Sequence, residues 1–159
     1  MRIEQRLAEL GLELPAPMAA PAGLTLPFPW VRVWEGHAFV SGHGPLLPDG
    51  TLWPVLGKVG ADLTEQEAYA AAKATGLAIL SSLKRALGDL DRISAWLRVF
   101  GMVNVAPGFY RTPAVINGFS DLIFDLWGEE AGAHARSAIG VAELPLSIPV
   151  EIEAEVALA

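Results

Sequence analysis

The sequence predicts an α+β domain in which one mixed β-sheet carries two helices on a single face. Three observations lead there. Segments with strand and helix character follow one another as strand, strand, helix, strand, helix, strand, strand, an alternation that builds a sheet with helices laid against it. The two long helical segments each have one apolar or small-residue side. The central strand, 93–105, is apolar on both sides, and such a strand is buried on both.

Each element has its own justification. Residues 2–10 suit a short helix, with Ile3, Leu7 and Leu10 on one side and Gly11 as its stop. The segment LELPAPMAAPAG, 12–23, carries three prolines. It is expected to be extended or irregular, lying on the surface or wrapping a neighbouring chain. Residues 31–33 and 37–41 form two short strands around a Glu35-Gly36 turn. GHGPLLPDGTLWP, 42–54, is a loop centred on a Pro-Asp-Gly turn.

Thr64-Glu65-Gln66-Glu67 is a capping box that opens a long helix, and Gly88 closes it. The inner face of that helix is Ala68, Ala71, Ala72, Thr75, Ala78, Ile79, Ser82 and Leu83. Being mostly small, these side chains let it lie close to the layer below. In the strand 93–105, Leu97, Val99, Gly101 and Val103 point one way. Trp96, Phe100 and Met102 point the other, interrupted only by Arg98. The helices cover one side, and a neighbouring subunit is expected to cover the other. A second helix spans about 113–127, with Thr112 as N-cap, Pro113 at the first helical position and Gly128 as its end. Val115, Ile116, Phe119, Leu122, Ile123 and Leu126 form its buried stripe. Two strands close the chain, Ser137 to Leu144 and Val150 to Leu158.

The 159 residues fit one domain, 1–159, with an N-terminal extension at about 1–27. Hydrophobic residues make up 52% and charged residues only 18%, which points to surface reserved for a subunit interface. The balance of 11 basic against 18 acidic residues gives −7. Nucleic-acid binding draws its affinity from Lys and Arg neutralising phosphates, so neither nucleic acid nor an anionic membrane surface is an expected partner. With no cysteine, disulfides, thiolate metal sites and Cys nucleophiles are excluded. The N-terminus lacks a basic region followed by an apolar stretch, and no run approaches a membrane span. A cytoplasmic location is expected.

Chemistry concentrates near the C-terminus. Arg136 stands at the mouth of a strand, with Ala138, Gly140 and Ala142 on its face. Small neighbours leave room in front of a guanidinium, which grips a carboxylate through two parallel hydrogen bonds. The competing reading is an ion pair with a nearby Asp or Glu. Glu151, Glu153 and Glu155 share one strand face, with Val150, Ile152, Ala154 and Val156 on the core face. A row of glutamates is more often a solvated face than a site. If the last two strands formed a simple hairpin, Glu151 would pair near Val141. Arg136 would then lie roughly 17 Å away, too far to share a small substrate. Either the two strands are not partners or the two residues meet across a subunit boundary. His37, His43 and His134 show no metal-ligand spacing, so no metal is expected. His43 sits between Gly42 and Gly44, which let the backbone approach a ligand closely. A surface turn histidine is the competing reading.

Several segments resemble one known family. VSGHGP (40–45) resembles its VSGQxP turn, LGDLDRISAWLRVFGMVN (87–104) its helix end and third strand, and PAVIN (113–117) the start of its second helix. ARSAIGVAELPLSIPVEIEAEV (135–156) is similar to its signature of Arg-Ser, strand, Leu-Pro and a strand of alternating Glu. The chain is thus identified as resembling the reactive intermediate deaminase superfamily, also called the Rid or YjgF family, in a longer, atypical branch.

The resemblance implies a chorismate-mutase-like fold, a homotrimer with pockets between subunits, and no cofactor. It implies that Arg136 binds the carboxylate of an imino acid or enamine while Glu151 positions the attacking water. It also implies substrate-binding roles for Gly42, Asn117 and Ala138. Three departures stand out: Ala138 replaces the family cysteine, His43 the glutamine of the SGQ turn, and Phe28 or Trp30 the N-terminal tyrosine. The function so implied is hydrolysis of enamine or imine intermediates to 2-oxo acids and ammonia. Its alternatives are a non-catalytic binder of small carboxylates and, against the charge balance, an endoribonuclease.

Overall fold

The structure, a computed structural model, describes residues 2–19, 23 and 25–159. Five strands form one sheet in the order β1-β2-β5-β3-β4, with β1 Val31–Trp34, β2 His37–His43, β3 Ile93–Asn104, β4 Ala135–Val141 and β5 Val150–Leu158. Only β3 and β4 are parallel; the other neighbours are antiparallel. Helices α2, Glu65–Leu87, and α3, Thr112–Ala131, pack on one face of this mixed sheet, and a short α1, Arg2–Glu9, packs against α3. Among the described residues, no helix is long and apolar enough to cross a membrane.

The elements form where the local chemistry requires. Thr64 caps α2: its hydroxyl accepts from the Glu67 backbone N–H at 3.1 Å, while the Glu67 carboxylate accepts from the Thr64 N–H at 2.7 Å. Every residue expected on the inner face of α2 is buried. Close approach of the helices is built on glycine, since a Cβ at Gly118 of α3 would collide with the Tyr69 carbonyl of α2. The helical path of α3 breaks at Gly128, with φ 76° and ψ −178°, and one further turn continues to Ala131. Thr112 is not the cap of α3. Arg111 holds that position without a capping side-chain bond, its guanidinium pairing with Glu65 instead, and the Thr112 hydroxyl donates to the Ala138 carbonyl of β4 at 3.0 Å.

The sides of β3 depart from simple alternation where its pairing with β5 slips, between Ile93 and Ala95 and again between Trp96 and Arg98. Pairing with β5 steps from Trp96↔Val156 to Arg98↔Glu155, so Leu97 is an extra residue on β3. This bulge resets the pleat and turns Trp96 into the core beside Val99. There it meets Phe119 and Trp127 edge-on at 5.6 and 5.4 Å. Beyond the bulge, Val99, Gly101 and Val103 face the helices, while Phe100 and Met102 face away.

The uncovered face is apolar as well as acidic. It carries Phe39 and Ile139, each about two-fifths exposed, with Phe100, Met102 and the β5 glutamates between them. Residues 12–17 run along their own chain: Leu12 and Leu14 pack against the core, and the Ala16 N–H donates to the Pro48 carbonyl at 2.9 Å. Within that proline-rich stretch, residues 20–22 lie outside the described residues.

Candidate active site

The register of the sheet decides which predicted residues can meet. Strand β3 lies between β4 and β5, so the last two strands are not hairpin partners. Arg136 stands opposite Val99 and Glu151 opposite Met102. The two reference positions are three apart on β3, which puts Arg136 and Glu151 on opposite faces of the sheet. At strand rise and strand spacing, their Cα atoms are roughly 14 Å apart. Within one chain the seven predicted residues therefore fall into two half-sites.

The first half-site gathers Trp30, Gly42, His43 and Glu151 around a cavity of about 140 Å³. Its walls are mainly apolar, including Leu46, Leu52, Ala78 and Ile148, and α2 adds Ser81, Ser82 and Arg85. The Glu151 carboxylate lies over Gly42, where a Cβ would come within 2.7 Å of its Oε2. Only glycine leaves that carboxylate its present place. Burial, and secondarily the neighbouring Glu153 charge, raise the pKa of Glu151 above the usual carboxylate range.

His43 is not a surface turn residue. It ends β2, is 94% buried from solvent by its 6% exposure, and packs against Trp30 at 4.8 Å between ring centres. Its Nδ1–H donates to the Ser41 carbonyl at 2.6 Å, and its Nε2 accepts from the Ser82 hydroxyl at 2.8 Å. A carbonyl can only accept, so these partners fix the neutral tautomer. Desolvation dominates its titration and, with the Arg85 charge adding to it, holds its pKa down at about 4.

The second half-site is built on α3 and β4. Arg136 Nη1 donates to Asn117 Oδ1 at 2.8 Å and to Ser120 Oγ at 3.1 Å, and Nη2 donates to the Pro113 carbonyl at 3.4 Å. These acceptors are all neutral. Among the described residues, no carboxylate lies within ion-pairing distance of Arg136, although the charge of Asp121 acts on it from further away. Ala138 is two residues along β4, and its carbonyl holds Thr112. Asn117 is thereby placed beside Arg136, and Ala138 next to the same helix start. Phe28 is exposed and touches Trp30 edge-on at 5.6 Å, so Trp30 is the ring that lines the cavity.

Glu155, one of the three β5 glutamates, has a partner of its own, accepting from His37 Nδ1 at 2.9 Å. The sequence alone did not mark Arg85 and Ser81 as site residues, and it placed Ser82 only on the packed face of its helix. A signal was available: arginine follows the two serines by four and three positions, one helical turn, on a face otherwise made of small residues.

A single open sheet with its helices on one face and a pocket wall at each end defines the chorismate-mutase-like class. The family model described as "YjgF/chorismate mutase-like, putative endoribonuclease" matches residues 4–152. The chain belongs to this YjgF family, the Rid superfamily. It is 42% identical over 158 residues to Protein TCP17 of Trypanosoma cruzi, a match covering 99% of this chain and 94% of that one. Among solved structures it is similar to the protein Atu1372 of Agrobacterium tumefaciens, with 37% identity, a TM-score of 0.86, and 99% and 93% of the two chains covered. A "putative endoribonuclease" of Shewanella oneidensis has 34% identity and the same TM-score, with 98% and 99% covered.

Proposed function

We propose that the protein is a deaminase that hydrolyses reactive enamine or imine intermediates of amino acids, at sites shared between subunits of a homotrimer. The observation that carries this reading is the division of the site. Arg136 is a guanidinium with only neutral acceptors, and Glu151 is a half-buried carboxylate of raised pKa beside a cavity. One chain keeps them on opposite faces of its sheet, which supports a site completed by a second chain. The apolar uncovered face, with Phe39, Phe100, Met102 and Ile139, supports such an assembly.

In this reading Arg136 of one subunit grips the substrate carboxylate through a two-pronged hydrogen bond. Glu151 of the next subunit takes a proton from water as its oxygen bonds to the imine carbon. That proton is returned to nitrogen to give a carbinolamine; Glu151 then carries the hydroxyl proton to nitrogen as well, the carbonyl forms as the carbon–nitrogen bond breaks, and ammonia leaves a 2-oxo acid. An imine is already electrophilic, so orientation and one general-base step supply the acceleration. A raised pKa suits Glu151 to both halves of that proton transfer.

A non-catalytic carboxylate binder is the second reading. It is favoured by His43, whose two ring nitrogens are both committed inside the protein, and by Ala138, which has no thiol. The net charge of −7 weighs against an endoribonuclease.

The test is ammonia release from freshly generated imino acids. Glu151→Gln should lower the rate by roughly 10²–10⁴, while Glu153→Gln does much less. Arg136→Lys, which keeps the charge but loses the fork, should weaken substrate binding. A wild-type protein that binds 2-oxo acids without hydrolysing imines would establish the binder instead.

A further inference from the structure

Arg85 repeats, in another part of the molecule, the arrangement that holds Arg136. His134 Nδ1–H donates to the Gly132 carbonyl, its Nε2 pairs with Ser120 Oγ at 2.9 Å, and Ser120 accepts from Arg136. His43 Nδ1–H donates to the Ser41 carbonyl, its Nε2 pairs with Ser82 Oγ at 2.8 Å, and Ser82 accepts from Arg85 Nη2 at 2.9 Å. Each chain of bonds runs from carbonyl to histidine to serine to arginine.

Arg85 is braced a second time. Its Nη1 donates at 2.6 Å to Ser81 Oγ, whose own proton goes to the Pro15 carbonyl. Both serines are more than nine-tenths buried, while Arg85 itself is exposed, so the two serines orient the fork before any ligand arrives. A guanidinium carries five N–H donors, and two are used here. Among the described residues, no carboxylate pairs with Arg85, although burial disfavours its charged form.

The space in front of Arg85 completes the argument. It is the cavity of about 140 Å³, lined by Leu46, Leu52, Ala78, Ile148 and the Trp30 ring. An apolar cavity near 150 Å³ takes a body about the size of benzene. Glu151 lines the same cavity over Gly42, and its carboxylate turns the anionic end of a ligand away from itself.

We propose that this cavity, within a single subunit, binds a small monocarboxylate with an apolar body of about one ring, its carboxylate held by the braced Arg85 fork. This anchor is separate from Arg136. The cavity is the one that holds Glu151, so the proposal concerns the same site as the deaminase reading; binding and hydrolysis are measured apart, and either can fail alone.

The experiment is calorimetric titration of the full chain with phenylacetate and with its neutral isostere phenylacetamide. Wild type should bind phenylacetate roughly 10- to 100-fold more tightly, the usual worth of a charge-assisted hydrogen bond. Arg85→Gln should abolish the preference, and Arg6→Gln, at an arginine outside the cavity lining, should leave it intact. Should Arg85→Gln fail to fold, Arg85→Lys replaces it and should shrink the preference at least severalfold. Equal binding of the two ligands, no binding at millimolar concentration, or a preference lost with Arg6 but kept without Arg85 would overturn the proposal.

Discussion

Acid should destabilise the fold through His43, by an amount that its surroundings set. The imidazole is held neutral by burial, with its pKa at about 4 against an ordinary 6.5. Between those values the unfolded chain binds a proton that the folded chain lacks. Stability therefore falls as pH falls from 6.5 to about 4, and no further loss from this group occurs below that. At about 1.4 kcal/mol per pH unit, the difference amounts to about 3 kcal/mol. That is a large share of the roughly 5–15 kcal/mol available to a domain.

The geometry adds a reason. A protonated ring would present a second N–H to Ser82 Oγ, which already accepts from Arg85, and place two cations on one serine. His43→Gln keeps an amide N–H for the Ser41 carbonyl and an oxygen for the Ser82 hydroxyl but cannot titrate. Urea unfolding of both proteins at pH 7.5, 6, 5 and 4, at fixed protomer concentration, isolates the His43 contribution from that of the carboxylates and of His134. The wild type should lose about 3 kcal/mol more than the variant across that range. Equal pH slopes would refute the reasoning.

Two further outcomes can be checked. Gly42→Ala places a methyl 2.7 Å from Glu151 Oε2, and the carboxylate must move by most of an ångström. A displacement of that size costs roughly 10² in rate for a positioned group. Imine hydrolysis should fall by about that factor with the melting temperature little changed, and unaltered activity would detach Glu151 from the reaction. Sedimentation equilibrium should give about three times 16.9 kDa; a stable monomer at micromolar concentration would remove the shared-site argument.

Much of the scaffold was legible because its signals are local. The Thr64 box, the small inner face of α2 and the Val115-to-Leu126 stripe each report one element's own geometry. The side occupied by Trp96 was not legible, because the Leu97 bulge exists only in the pairing of β3 with β5. No period within a single strand records an extra residue opposite its partner. The same holds for His43. Glycines on either side give it the look of a loop residue, whereas its burial comes from α2, thirty-nine positions away. The role of Arg85 was hidden for a related reason. An arginine near the C-terminal end of a helix has an ordinary explanation in the helix dipole, and only the tertiary fold adds the serines, the histidine and the cavity.

Sheet order also explains why Arg136 and Glu151 are arranged as they are. Inserting β3 between β4 and β5 separates two strands that are adjacent in sequence, and the odd offset of three positions sends the two side chains to opposite faces. If the chain acted alone, this arrangement would waste both groups: a guanidinium with neutral partners at one edge, and a desolvated carboxylate beside a cavity elsewhere. Each carries a cost that a small substrate could relieve, since a carboxylate ligand compensates the guanidinium and a transferred proton compensates the glutamate. In the proposed assembly, a rotationally symmetric ring would present the β4 edge of one copy to the cavity of the next and repeat the match at every interface. Such a ring would bury the apolar face and complete both half-sites together. Disrupting assembly through Phe39 or Ile139 should therefore abolish hydrolysis while leaving phenylacetate binding at Arg85 in place.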